Sequence, residues 1–182
     1  SKVFAKDFMV RHNIPTARYA VFHTIGEAIA HLETVDYPMV IKASGLAAGK
    51  GVVLPETHEE ARTVFELMLV DKAFGEAGSE VLIEERLSGQ EVSLMAFTDG
   101  ETVIPMLPAQ DHKRLLDGDS GPNTGGMGAY SPAHLMTPEL EEKILTRLIK
   151  PTIEAMAREG CPFTGVLFAG IMVVKNEPIL LE

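Results

Sequence analysis

The stretch Val40-Ile41-Lys42-Ala43-Ser44-Gly45-Leu46-Ala47-Ala48-Gly49-Lys50-Gly51-Val52-Val53-Leu54 sets the fold expected of this chain. Met39 to Ala43 and Val52 to Leu54 are short strand-like runs, and the small residues between them predict a hairpin. Alternation along the first run aims Lys42 at one face of a sheet. The glycines and alanines that follow let backbone N–H groups approach phosphate oxygens closely, so Lys42 with Gly45 to Gly51 forms a candidate phosphate clamp. A tight turn beside a strand-edge lysine is the plainer alternative. A P-loop is disfavoured on three counts: three residues rather than four separate Gly45 from Gly49, Lys50 precedes Gly51 rather than a hydroxyl, and a strand rather than a helix follows.

Working outward, Phe4, Ala5, Phe8 and Met9 share a helical face before Asn13 and Pro15, which predicts a helix over about 1–12. Tyr19 to Phe22 reads as a strand. Thr24 with Glu27 and Thr57 with Glu60 are capping-box pairs, each followed by apolar residues at helical spacing. Further on, Val81 to Ile83, Val92 to Phe97 and Val103 to Met106 predict an antiparallel meander, the last two strands divided at Asp99-Gly100. Gly118 to Pro132 holds five Gly and two Pro in fifteen residues, which predicts a long irregular loop of the kind that carries function. Thr137 and Pro138 open a helix that Pro151 should kink or split. Val166 to Val174 and Ile179 to Leu181 read as two closing strands around Asn176-Glu177. The sum is an α+β fold, with a smaller lobe over 1–80 and a larger one over 81–182.

Composition narrows the function classes. With 46% apolar residues in 182, the chain can bury a real core, and a net charge of −10 opposes general binding to nucleic acid. The single Cys161 cannot form an internal disulfide, and no run resembles a signal peptide or a membrane span, so a cytosolic protein is expected. Ser1 opens inside a helical pattern and Glu182 closes an apolar run, as expected of a piece of a longer polypeptide.

Four further groups of residues are candidates for chemistry. Glu84-Glu85-Arg86-Leu87 ends a buried-looking strand whose backbone groups are suited to reading an adenine edge, and Glu91 nearby is suited to ribose hydroxyls; a solvated acidic pair is the plainer alternative. Asp111, Lys113 and Arg114, followed by the loop through Asn123, Thr124 and Gly125, suit an anionic substrate under a cover that excludes water, against the alternative of a charged surface turn. His112 reads as structural. Glu182 ends an apolar strand, where a buried carboxylate needs a partner such as Mg²⁺. Cys161 lacks a basic setting that would activate its thiol.

Three segments together resemble a known family. Lys42 to Gly51, then Pro108-Ala109-Gln110-Asp111-His112-Lys113-Arg114, then Gly121 through Pro132 are similar to the signature segments of the glycinamide ribonucleotide synthetases, or phosphoribosylamine–glycine ligases, in order and spacing along the whole chain. The resemblance implies an ATP-grasp fold, with two α+β lobes gripping ATP between antiparallel sheets, and ligation of glycine to 5-phosphoribosylamine in purine synthesis. It implies that Lys6 and Lys42 bind ATP, that the hairpin at Gly49, Lys50 and Gly51 covers the phosphates, and that Glu84, Glu85, Arg86 and Leu87 with Glu91 hold adenosine. It makes Glu182 a ligand for Mg²⁺ or Mn²⁺, whose usual Asn companion two residues later falls beyond Glu182. It also implies further N- and C-terminal domains in the parent chain. The alternatives are another ATP-grasp ligase or carboxylase, against which the segments at 111–114 and 121–130 speak, and a nucleotide-binding module without turnover.

Overall fold

The computed structural model describes residues 1–45, 51–118 and 120–182. They divide into two compact units, 1–7 with 17–86 and 8–16 with 87–182. The expected boundary between residues 80 and 81 lies six residues ahead of the division after Arg86.

In the first unit, helix α1 (Lys2–Arg11) contributes its opening residues. Strand β1 (Tyr19–Phe22) leads to α2 (Ile25–Leu32), then to β2 (Met39–Ala43), β3 (Val52–Val53) and α3 (His58–Phe65). Both threonines cap their helices: the Thr24 hydroxyl accepts from the Glu27 N–H and the Thr57 hydroxyl from the Glu60 N–H, while the reciprocal carboxylates accept from the Thr24 hydroxyl and the Glu56 N–H instead of the capping residue's own N–H. Each cap contributes about 1 kcal/mol. A π turn at Glu66–Val70 and a 3₁₀ turn at Gly75–Gly78 lead into β4 (Val81–Glu85). Among the described residues the sheet is antiparallel in the order β1-β4-β2-β3, with Ile41 opposite Val53 as the predicted hairpin requires.

Strand β4 corrects the sequence reading. It joins no meander with the strands that follow it; it lies between β1 and β2, pairing Tyr19 with Glu84 and Val40 with Glu84 on its two sides. An inner strand is buried on both faces, and Val81 to Glu84 are all buried. Val81 and Ile83 join Met39, Ile41, Ala43, Leu32, Phe65 and Met68 in the unit's core. Leu82 and Glu84 alternate to the opposite face.

The second unit is built on β5 (Gln90–Thr98), β6 (Val103–Pro105), β11 (Gly165–Val174) and β12 (Glu177–Leu180), in the order β12-β11-β5-β6. Asp99 shapes the β5–β6 turn by accepting N–H bonds from Thr102 at 2.7 Å and Glu101 at 3.0 Å, which hold its carboxyl below the usual range. The β11–β12 turn falls on Lys175 and Asn176, both at positive φ, one residue earlier than expected. Helix α4 (Pro138–Ile144), capped by Thr137, passes through a π turn at Leu145–Ile149 into α5 (Lys150–Arg158). Pro151 has no N–H to donate back along the helix, and the i→i+5 turn lies immediately before it, so the predicted split is present.

Residues 8–16 belong to this unit because they bond to it. The Pro15 carbonyl accepts from the Leu180 N–H at 2.8 Å, and the Thr16 hydroxyl donates to the Leu180 carbonyl at 2.8 Å. Arg11 and His12 converge on Glu159 at 2.8 and 2.6 Å. Hydrogen bonding from Arg11, then from His12, lowers the Glu159 carboxyl from 4.5 to about 2. A carboxyl lowered in the folded state stabilises it above its unfolded value, and that contribution fades as pH falls from about 4.5 to about 2. The thermal midpoint of Glu159→Gln should therefore lie below that of the unmodified protein near neutrality and converge on it through that window. Parallel curves would contradict the assignment.

Candidate functional site

Lys6, Lys42 and Glu84 meet in the first unit. In the β2–β4 pairing Val40 lies opposite Glu84 and Lys42 opposite Leu82, so Lys42 and Glu84 are diagonal neighbours on one face, within reach for long side chains. Lys6 arrives from α1. Its Nζ is 2.8 Å from Glu84 Oε2, with both side chains only 2% exposed. Lys42 Nζ is 2.7 Å from Glu84 Oε1 as an ion pair without an aligned hydrogen bond, and is 13% exposed. Two ammonium groups thus converge on one carboxylate. In a chain of net charge −10 this is a buried gathering of two cations.

The remaining residues of the Glu84 to Leu87 segment are placed differently from one another. The Glu85 N–H donates to the Arg18 carbonyl at 2.9 Å and the Arg86 N–H to the Pro38 carbonyl at 2.7 Å, so both donors are used within the protein. The Glu85 carboxylate accepts from Arg18, and Arg86 reaches Glu56. Leu87 opens the second unit. Gly49 and Lys50 lie outside the described residues. Gly51 is buried, and its carbonyl accepts the Ala43 N–H at 2.8 Å.

In the second unit the expected irregular loop contains two short strands. Strand β7 (Gln110–Asp111) pairs with β10 (Ala129–Tyr130), and β8 (Arg114–Leu116) pairs with β9 (Ser120–Asn123). The pairing is a backbone matter, which side-chain periodicity does not report; Gly121, Gly126 and Gly128, all at positive φ, allow the bends. The result draws the segments at 110–116 and 120–130 together. Arg114 donates to the Gly121 carbonyl at 2.7 Å, and the Lys113 carbonyl accepts from the Thr124 N–H and hydroxyl at 2.7 and 3.0 Å. His112 stacks on Tyr130 with ring centroids 5.6 Å apart. Gly125 needs no left-handed backbone, and no atom lies within 4 Å of where its Cβ would stand. Neither the fold nor its packing explains a glycine there.

Lys113 also donates to Glu91. Burial pulls the Lys113 ammonium down, but the Glu91 bond and the charges of Glu91, Asp111 and Glu182 more than offset it, raising it above the ordinary lysine value. The carboxylate predicted to hold ribose and the lysine predicted to face substrate are thus direct partners. Glu182 lies beside Gly170, whose N–H donates to the Glu182 carbonyl at 2.9 Å; a Cβ on Gly170 would stand 3.3 Å from Glu182 Cγ. Among the described residues no three His, Cys, Asp or Glu side chains gather as a metal-ligand set, so they do not complete a metal site around Glu182. No helix among them is long and apolar enough to cross a membrane.

The family model described as phosphoribosylglycinamide synthetase, ATP-grasp (A) domain, matches residues 1–182. The chain belongs to this family. Over all of its length it is 54% identical to a phosphoribosylamine–glycine ligase of Ralstonia nicotianae, covering 43% of that protein. It is also 54% identical to the human trifunctional purine biosynthetic protein adenosine-3, covering 18% of it. The chain therefore spans less than half of the curated relatives it matches. A crystal structure of a phosphoribosylamine–glycine ligase from Thermotoga maritima superposes with a TM-score of 0.88 at 37% identity, covering 100% of this chain and 46% of that one. A D-alanine–D-alanine ligase from Bacillus anthracis complexed with ATP, at 19% identity and a TM-score of 0.65 over 100% of this chain and 54% of that one, shares the fold. This ATP-grasp domain is α+β, as the sequence reading expected.

Proposed function

We propose that the full-length protein carrying this ATP-grasp domain ligates glycine to 5-phosphoribosylamine with ATP, giving glycinamide ribonucleotide, ADP and phosphate, in the cytosol. The observation that carries the reading is the Lys6–Glu84–Lys42 cluster, two buried lysines on one carboxylate, within a domain of the phosphoribosylglycinamide synthetase family. A carboxylate is a poor acyl donor. In the proposed reaction an oxygen of glycine attacks the γ-phosphorus, the bond from that phosphorus to ADP breaks, and glycyl phosphate forms. The amine of phosphoribosylamine then attacks the acyl carbon, phosphate leaves with the former carboxylate oxygen, and the amine releases a proton.

Lys6 and Lys42 would hold the phosphates and stabilise charge during transfer, at about 3–4 kcal/mol per well-placed donor. Glu85, Arg86 and Leu87 with Glu91 would border adenosine. Asp111, Lys113 and Arg114 with Asn123, Thr124 and Gly125 would face the acceptor and shield glycyl phosphate from water, and the uncrowded space at Gly125 supports that role. Glu182 would offer one carboxylate to Mg²⁺ or Mn²⁺. The test is ADP release by the full-length protein with ATP and phosphoribosylamine, with and without glycine. Strictly glycine-dependent release is expected; ATP binding without it would leave a nucleotide-binding module.

A further inference from the structure

We infer that Glu84 acts as a positioning residue that keeps Lys6 and Lys42 charged and aimed at the same anion, rather than as a contact to adenosine. This rests on the reading of the two lysines as phosphate-binding groups. Its carboxylate is 2% exposed and each oxygen serves one lysine, Oε2 toward Lys6 at 2.8 Å and Oε1 toward Lys42 at 2.7 Å. At that burial, with a lysine beside each oxygen, the carboxylate faces the two ammonium groups rather than solvent.

The elements explain why one carboxylate is needed. Lys6 comes from a helix and Lys42 from a strand, so no shared backbone fixes the distance between their ammonium groups. Both are removed from water, and two unscreened ammonium groups in one site repel until one loses its proton. Glu84 sits on β4, beside the strand that carries Lys42, and β4 is an inner strand held on both sides by β1 and β2. One carboxylate thus holds both ammonium groups in one place. Two other charged groups near the cluster are engaged elsewhere. On α1, Lys2 Nζ donates to the carbonyls of Ala43 and Gly45, and Asp7 accepts from the hydroxyl of Tyr19, the β1 residue opposite Glu84.

The experiment uses the full-length protein, with ATP affinity measured by calorimetry and the KM of all three substrates measured for Glu84→Gln at pH 7 and pH 9. Glutamine keeps the shape and removes the charge. Expected is at least a tenfold rise in the Kd and KM of ATP, with glycine and phosphoribosylamine within about twofold of the unmodified protein. A further weakening of ATP between pH 7 and pH 9 is expected in the variant alone, because the two lysines have lost the carboxylate that favours their charged form. An ATP affinity equal to that of the unmodified protein at both pH values overturns the inference. So does an equal rise in all three KM values without added pH dependence, which is the signature of a merely structural pair. Should Glu84→Gln fail to fold, Glu84→Asp, one methylene too short to reach both lysines, is expected to weaken ATP several-fold with a near-normal thermal midpoint; unchanged affinity there overturns the inference equally. If the unmodified protein binds no ATP, the functional reading falls and this inference with it, whereas Lys42-dependent binding that ignores Glu84 removes the inference alone.

Discussion

Replacing Lys42 with alanine is expected to weaken ATP binding about 100-fold while leaving the domain folded. A charge-assisted hydrogen bond to phosphate in a partly buried site is worth about 3 kcal/mol, which is about two decades in Kd. Lys42 is the more exposed of the two lysines at 13%, so in the proposed site it is the one a ligand would meet first. Its removal leaves Lys6 against Glu84 at 2.8 Å, so the buried carboxylate keeps an ion-pair partner. Strand β2 itself rests on Met39, Ile41 and Ala43, which face the core and are untouched. Calorimetric titration with ATP, paired with a thermal melt, reads both halves of the expectation. Undiminished affinity with a normal melt would remove Lys42 from the site.

The largest effect on stability is expected from Gly89→Ala. A Cβ on Gly89 would stand 2.2 Å from the carbonyl oxygen of Val173 and 2.9 Å from its carbonyl carbon, both backbone atoms. Neither side can yield cheaply. Gln90, the next residue, pairs with Val173 at the end of the ladder that joins β5 to β11 from Gln90 to Thr98, and β11 is held on its other side by β12. Relieving the clash means opening that ladder, which should cost at least about 3 kcal/mol and lower the thermal midpoint by about 10 °C. Gly26→Ala is the natural control. It lies in α2 with no atom within 4 Å of its Cβ position, and the gain in helix propensity should stabilise by about 0.5–1 kcal/mol. Equal melts for the two variants would contradict the close approach at Gly89.

The local devices were legible in the sequence because each rests on a few neighbouring residues. The two threonine caps, the Thr137–Pro138 helix start, the split before Pro151 and the hairpin strands flanking the glycine-rich stretch all follow from residue chemistry at short range. What periodicity does not carry is the identity of a strand's partner. Val81 to Ile83 reads as a strand beside Val92 to Phe97 in sequence, yet it belongs to the inner strand of the earlier sheet; the signal available was its unbroken apolar run, the mark of a strand covered on both faces. The β9 and β10 pairings hide in a stretch rich in Gly and Pro because there the backbone, not the side chains, makes the contact. Glu84 shows the same limit within the candidate site. Alternation places it opposite Val81 and Ile83, but only the pairing of β2 with β4 and the path of α1 bring two lysines onto it.

The division of α1 between the two units has a consequence for modularity. Residues 1–7 belong with 17–86, while 8–16 are tied to β12 through Pro15 and Thr16. The lysine-bearing unit is therefore not a contiguous cassette: a gene fragment encoding 17–86 would carry Lys42 and Glu84 but not Lys6. Transplanting that unit into another scaffold would take two inserted segments, and a recombination point placed between residues 16 and 17 would separate the cluster's members onto different parents.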